Sequence, residues 1–267
     1  EQRKEEIKSQ LIPNNYNELK TKEQEAIDAK ISDAFSKMNF EADINNAKGR
    51  LRSLSFDCIY GTDANPRMAR TAKMNMIMHG DGHGGVHHHD GLLNVNGIWD
   101  GRFDVILTNP PFGARVDKDC IITEADKFTD DVKINAYAKR YGEEYLTALK
   151  QVNDHIGEPL LNQFEVGKMS ALTEVLFIDR CLNLLKPGGR LGIVLPEGVL
   201  NNTNLQNVRE YFEGRAKILL IVSIPQEVFM AAGATVKPSL MFFKRFTEEE
   251  QIQYDTIKRD AYEEVRD

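Results

Sequence analysis

The residues most able to do chemistry stand in one run: Phe103-Asp104-Val105-Ile106-Leu107-Thr108-Asn109-Pro110-Pro111-Phe112-Gly113. The first part reads as a strand. Two prolines after it force a rigid, extended turn, because each fixes its own φ and restricts the residue before it. The Asn109 side chain and the Pro110 carbonyl can then point the same way as two neutral acceptors. Phe112 offers an aromatic face beside them. Two acceptors and a π-face are what an exocyclic amino group on a planar ring requires. Asn109 does not ionise, so it is no general base. The plain alternative is a tight loop with a buried Phe. The strand before the turn and the Gly113 exit weigh against it.

Two acids follow other short strands. Phe56-Asp57-Cys58-Ile59-Tyr60-Gly61 reads as a buried strand, with Asp63 just after it. In doubly wound folds an acid at this place accepts hydrogen bonds from ribose hydroxyls. The alternative is a helix N-cap ahead of Pro66, a role open to Asp63 or Asn65. Asp90 stands before Gly91 after a weak strand, a pairing that also suits a simple turn. His79, His83, His87, His88 and His89 lie between these acids. They have no paired Cys or carboxylate at metal-site spacing, so the reading is a polar loop and no metal.

The elements that position these residues alternate. Pro66 suits a helix start, and Met68–Met78 carries a helical pattern. Arg102–Thr108 is a strand. Residues 114–167 look like a long insertion, partly helical around Ala136–Val152; such an insertion is usually functional or mobile. Ser170–Leu185 is a helix stopped by Lys186-Pro187-Gly188-Gly189. Arg190–Leu195 is a strand whose continuous apolar run suits a sheet covered on both faces. A helix near Leu205–Glu213 and strands Lys217–Ile224 and Ser239–Arg245 follow. Strand alternating with helix implies an α/β fold, a mostly parallel doubly wound sheet in three layers, ending in an antiparallel strand. The expected organisation is a helical lead-in over residues 1–55, a catalytic core over 56–246 and an acidic helix or tail over 247–267.

The 267 residues carry 34 basic and 41 acidic side chains, a net charge of −7. Residues 248–267 alone hold eight acidic and three basic side chains. The chain is therefore not a basic protein built to hold nucleic acid by itself. Apolar residues at 41% and charged residues at 28% exclude a disordered or coiled-coil chain. The longest apolar runs, such as Ile218–Ile224, are too short to cross a bilayer. Cys58, Cys120 and Cys181 form no CxxC; Cys58 and Cys181 sit in apolar runs and read as free buried thiols of a cytoplasmic protein.

The Asn109–Phe112 turn resembles the amino-methyltransferase signature Asn/Asp-Pro-Pro-aromatic, at the end of the fourth strand of S-adenosylmethionine-dependent enzymes. The Phe form is commoner among DNA adenine-N6 methylases and the Tyr form among protein glutamine methylases. Tyr60–Pro66, Ala69–Gly80, Asp90, Glu174–Leu182, Leu185–Arg190 and Ala232–Ser239 resemble the modification subunit of type I restriction systems. The match covers about residues 56–246.

The resemblance implies a Rossmann-like methyltransferase that moves a methyl group from S-adenosylmethionine to a flipped-out adenine in DNA. Asn109, Pro110, Pro111 and Phe112 would be catalytic. Asp63, Ala64, Asp90, Gly91 and Asn109 would bind the cofactor, with Asp63 at the ribose and Asp90 at the adenine amino group. Specificity and restriction subunits would be partners. One departure stands out: no Gly-rich first-strand loop occurs in residues 1–55. The expectation is a fragment that begins after that loop and is inactive when isolated. The alternatives are a protein glutamine or RNA methyltransferase with the same turn, and a non-catalytic assembly module.

Overall fold

The computed structural model describes residues 2–43, 45–46, 48–80, 85–127, 129–230 and 236–266. His83 and the Ala232–Thr235 part of the family-like segment lie outside them. The chain divides into two compact units, Glu1–His89 and Asp90–Asp267.

The first unit opens with helices α1 (Gln2–Leu11), α2 (Thr21–Ala42) and α3 (Arg50–Ser53). Ile31 is the one buried residue of α2. The stretch read as a strand from Phe56 is instead a π-helical turn, Leu54–Cys58, that prolongs α3. The Arg52 guanidinium lies 4.5 Å from the Phe56 ring. Such an i,i+4 pair belongs to a helix surface, and local pairing wins here over strand propensity. Strand β1 is shorter and later, Gly61–Asp63, and pairs in parallel with β2, Val86–His88. Between them runs α4, Pro66–Met78. Asn65 caps it, its side chain accepting from the N–H groups of Arg67 at 2.9 Å and Met68 at 3.4 Å. Pro66 sits at the start, where a missing N–H costs nothing.

The second unit is built on β3 (Phe103–Thr108), β4 (Leu185–Pro196), β5 (Ala216–Ser223) and β6 (Pro238–Arg245). Their order is β3-β4-β6-β5. β3 and β4 pair in parallel, while β6 runs antiparallel to both β4 and β5. The last strand is thus the reversed one, as expected. Helix α7 (Thr173–Leu184) and helix α9 (Gln206–Glu213) supply one packed layer. Val175, Leu176, Ile178, Leu182, Val208 and Phe212 meet Leu191, Ile193, Leu195, Met241 and Phe243 of the sheet in one core.

Burial along β4 alternates: Leu191, Ile193 and Leu195 are buried, whereas Gly192 and Val194 are half-buried. Within this unit one face of β4 is buried and the other half-buried. Register places Leu107, Gly192, Phe242 and Leu220 in one row across the opposite face. Leu107 is 77% exposed there. A Cβ on Gly192 would meet Leu107 Cδ2 at 2.8 Å and the Phe242 ring at 3.2 Å, so glycine lets those two side chains close over the strand.

The 114–167 segment is packed. It holds α5 (Asp131–Tyr141) and α6 (Glu143–Asn153), which meet at Gly142 with φ 68°. Tyr137, Tyr141 and Tyr145 of these helices gather with Trp99 from the loop before β3. The Arg102 guanidinium sits 4.5 Å from the Trp99 ring and 4.4 Å from the Tyr141 ring. Ile122, Val152, Leu160, Phe164 and Val166 join the main core. Short helices α8 (Glu197–Asn201) and α10 (Glu227–Met230) follow β4 and β5. The acidic stretch is helix α11, Glu248–Arg266. Thr247 and Glu250 exchange hydrogen bonds at its start, a capping box.

Of the three thiols, Cys181 alone is buried; Cys58 and Cys120 are exposed. The reading of Cys58 as a buried strand residue falls with the strand itself.

Candidate functional site

β3 ends at Thr108, and the Asn-Pro-Pro-Phe turn stands at its carboxyl end. In open α/β sheets this is the end where ligands bind. Asn109 and Pro111 are exposed, Pro110 is buried and Phe112 is half-buried. The Asn109 side chain makes no hydrogen bond among the described residues. Its amide oxygen is available to a ligand. The buried Pro110 beside it anchors the turn.

Phe112 faces Phe229, with ring centroids 6.2 Å apart and planes at 47°. Phe229 belongs to α10, in the connection that leaves the carboxyl end of β5. Sequence reasoning missed it. The available signal was its place after a second strand that runs in the same direction as β3.

The turn leaves through Gly113, whose φ of 69° favours glycine. The Gly113 N–H donates to both carboxylate oxygens of Glu174, at 3.1 and 3.3 Å. Glu174 is buried in the first turn of α7. A helix N-terminus and a backbone donor together offset the cost of burying that charge. Thr173 adds two bonds to the Ala114 carbonyl, from N at 2.9 Å and from Oγ1 at 3.1 Å. Val116 N donates to Ala171 O at 2.9 Å. Three residues at or just before the start of α7, Ala171, Thr173 and Glu174, thus hold the exit of the turn.

In the first unit Asp63 ends β1 and is partly exposed. Its carboxylate accepts the Asn65 N–H at 2.7 Å, and its carbonyl accepts from His89 N at 3.2 Å. Asn65, not Asp63, is the helix cap. Ala64 is exposed, and its carbonyl lies 3.1 Å from His88 Nε2. In the second unit Asp90 is half-buried and accepts the Leu92 N–H at 2.9 Å. Gly91 follows it directly. Both acids therefore brace their own loops, as Asx turns do, and each is partly exposed to solvent.

Among the described residues no three His, Cys, Asp or Glu side chains are grouped as for a metal ion. No described helix is long and apolar enough to cross a membrane.

Comparison with known proteins follows the same lines. The family model for N-6 DNA Methylase matches residues 37–154 and 162–265. A curated relative, the Type I restriction enzyme EcoEI methylase subunit of Escherichia coli, is 24% identical over 189 residues. That alignment covers 70% of this chain and 30% of the relative, so the chain spans about a third of that protein's length. Among solved structures, the Type I restriction enzyme EcoKI M protein superposes with a TM-score of 0.52 at 18% identity. It aligns over 78% of this chain and 35% of its own. A modification subunit assigned to a type I restriction enzyme of Vibrio vulnificus YJ016 gives 0.50 at 22% identity, over 73% and 34%. The likeness shows the fold, an α/β Rossmann-like fold shared with these modification subunits. With a family match running through both units and across the Asn109 turn, the chain belongs to the N-6 DNA Methylase family.

Proposed function

We infer that this protein methylates the N6 amino group of adenine in DNA, within a restriction-modification assembly. The observation that carries the reading is the Asn109–Phe112 turn at the carboxyl end of β3, with a second aromatic ring, Phe229, opposite Phe112. S-adenosylmethionine, when bound, supplies a methyl group activated by its sulfonium. Asp63 accepts hydrogen bonds from ribose hydroxyls, with Ala64 beside it. Asp90 accepts one from the adenine amino group of the cofactor, with Gly91 beside it.

A duplex adenine does not reach such a turn unless it flips out, at roughly a few kcal/mol. Stacking on Phe112 returns on the order of 1–3 kcal/mol. Asn109 and the Pro110 carbonyl accept the two amino hydrogens. That would draw the nitrogen toward a tetrahedral shape and localise its lone pair for in-line attack on the methyl carbon, the N–C bond forming as the S–C bond breaks and one amino proton being released to solvent. Pro111 holds the turn rigid, and orientation supplies much of the rate.

The net charge of −7 argues that most phosphate contacts come from elsewhere. The curated and structural relatives are named as subunits of type I restriction enzymes, which supports specificity and restriction subunits as partners. Free thiols at Cys58 and Cys120 support a reducing, cytoplasmic setting. This 267-residue chain on its own is proposed to be inactive.

Methyl transfer from labelled cofactor to a duplex carrying the target adenine, by the full-length protein with its partners, tests the reading. The expected product is N6-methyladenine. Label appearing on protein glutamine or on RNA instead would overturn it.

A further inference from the structure

One helix reaches both candidate loops of the second unit. The first turn of α7 grips the exit of the Asn109 turn through Glu174 and Thr173. Six residues on, roughly 9 Å along the axis, Arg180 is buried at 5% exposure. Its Nε donates to Gly91 O at 3.3 Å and its Nη2 to Leu93 O at 2.8 Å. Its Nη1 donates to Asn94 Oδ1 at 2.8 Å and to Asp100 Oδ1 at 3.0 Å.

Gly91 directly follows Asp90, and the Asp90 carboxylate is tied to Leu92 N–H. The guanidinium therefore holds the loop that begins at Asp90. That loop is irregular and its carbonyls have no ladder partner, so something must satisfy them. A planar fork with five donors does this for two carbonyls and two side chains at once; a lysine, with one ammonium, does not. Asp100 balances the buried charge.

We propose that Glu174 and Arg180 are positioning residues, so that α7 braces the target-base turn with one and the cofactor-adenine loop with the other. The proposal rests on the reading of Asn109 and Asp90 given above. Its consequence is separability. Arg180 governs the cofactor side, and Glu174 governs the base side.

The test uses the full-length protein with its partner subunits. Arg180→Met removes every donor at similar length, and Arg180→Lys keeps the charge without the fork. Glu174→Val removes the acceptor, and Glu174→Gln keeps an oxygen for the Gly113 N–H. Three readouts are taken: local amide hydrogen exchange, calorimetric affinity for S-adenosylhomocysteine, and brightening of 2-aminopurine at the target position. Arg180→Met should speed exchange over residues 90–94 and weaken S-adenosylhomocysteine by about tenfold or more. The 2-aminopurine signal should survive, and Arg180→Lys should fall between. Glu174→Val should speed exchange over residues 109–116 and lose the 2-aminopurine signal. Its S-adenosylhomocysteine affinity should stay within about twofold of the parent. Glu174→Gln should restore the signal.

Unchanged local exchange in Arg180→Met and Glu174→Val would overturn the brace. So would equal loss of both ligand readouts in both variants, the mark of a purely structural helix. Local exchange that rises as expected while neither ligand readout moves would overturn the positioning role by removing the site reading beneath it. Should Arg180→Met fail to fold, Arg180→Lys carries the same comparison.

Discussion

The rings of Phe112 and Phe229 meet at 6.2 Å between centroids and 47° between planes. This is a tilted contact and not a parallel sandwich. A planar base entering between them has to turn at least one ring to gain contact on both faces. In the proposed reaction both rings then contribute to base capture, and their effects couple because they touch each other before the base arrives. Phe229→Ala should dim a 2-aminopurine probe at the target position, as Phe112→Ala does. Phe112→Trp should keep partial activity, since stacking survives. Full brightening in Phe229→Ala would leave Phe229 with a packing role only.

Asn109 gives a cleaner separation of chemistry from stability. Its side chain is exposed and makes no hydrogen bond among the described residues, so removing it breaks no hydrogen bond among them. Asn109→Ala should lower methyl transfer by at least about a hundredfold, the scale of losing one oriented polar group at a reacting centre. The melting temperature should stay where it was. Near-parental transfer in a folded variant would sink the catalytic assignment.

Much of this was legible in the sequence. Pro66, the helix before Leu185, the strand ending at Thr108 and the strand opening near Pro238 are punctuated by residues whose backbone limits are local, so position alone places them. The strand expected at Phe56 failed because the apolar spacing there suits a helix surface as well, and Arg52 over Phe56 tips the balance. The capping box of Thr247 and Glu250 was readable at its spacing but passed over within a charged run. Phe229, Glu174 and Arg180 were not legible as partners. Each acts across at least 61 positions on a residue or loop that only the tertiary fold brings near.

Cys181 offers a test of packing by pH. Burial pushes its thiol up to about 12 from an ordinary 9.0. The folded state therefore holds this proton more tightly than the unfolded state does. The stability that depends on it is full below pH 9 and is lost as pH rises from there toward about 12. At pH 8 a thiol reagent should modify exposed Cys58 and Cys120 quickly and leave Cys181 intact until the chain is unfolded. Three equally fast reactions in the native protein would contradict the burial of α7 against the sheet.

The last expectation concerns cofactor binding by these 267 residues alone. The side chains assigned to S-adenosylmethionine, Asp63 and Asp90, reach hydroxyl and amino groups of the nucleoside. No glycine-rich turn follows a strand before β1 among the described residues, so nothing there supplies a row of backbone donors for the methionine half. β3 pairs with β4 on one side and with no strand on the other among the described residues, and Val105 and Leu107 are 58% and 77% exposed. Several absent hydrogen bonds at about 0.5–1.5 kcal/mol each weaken affinity by orders of magnitude. Calorimetry on this chain alone should therefore detect no S-adenosylmethionine binding, and labelled cofactor should transfer no methyl group. A longer form of the protein that carries such a turn, or a peptide bearing it added in trans, should recover both. Micromolar binding by the 267 residues themselves would mean that another segment does the work of the glycine-rich turn, and the account of the cofactor site would have to be rebuilt around it.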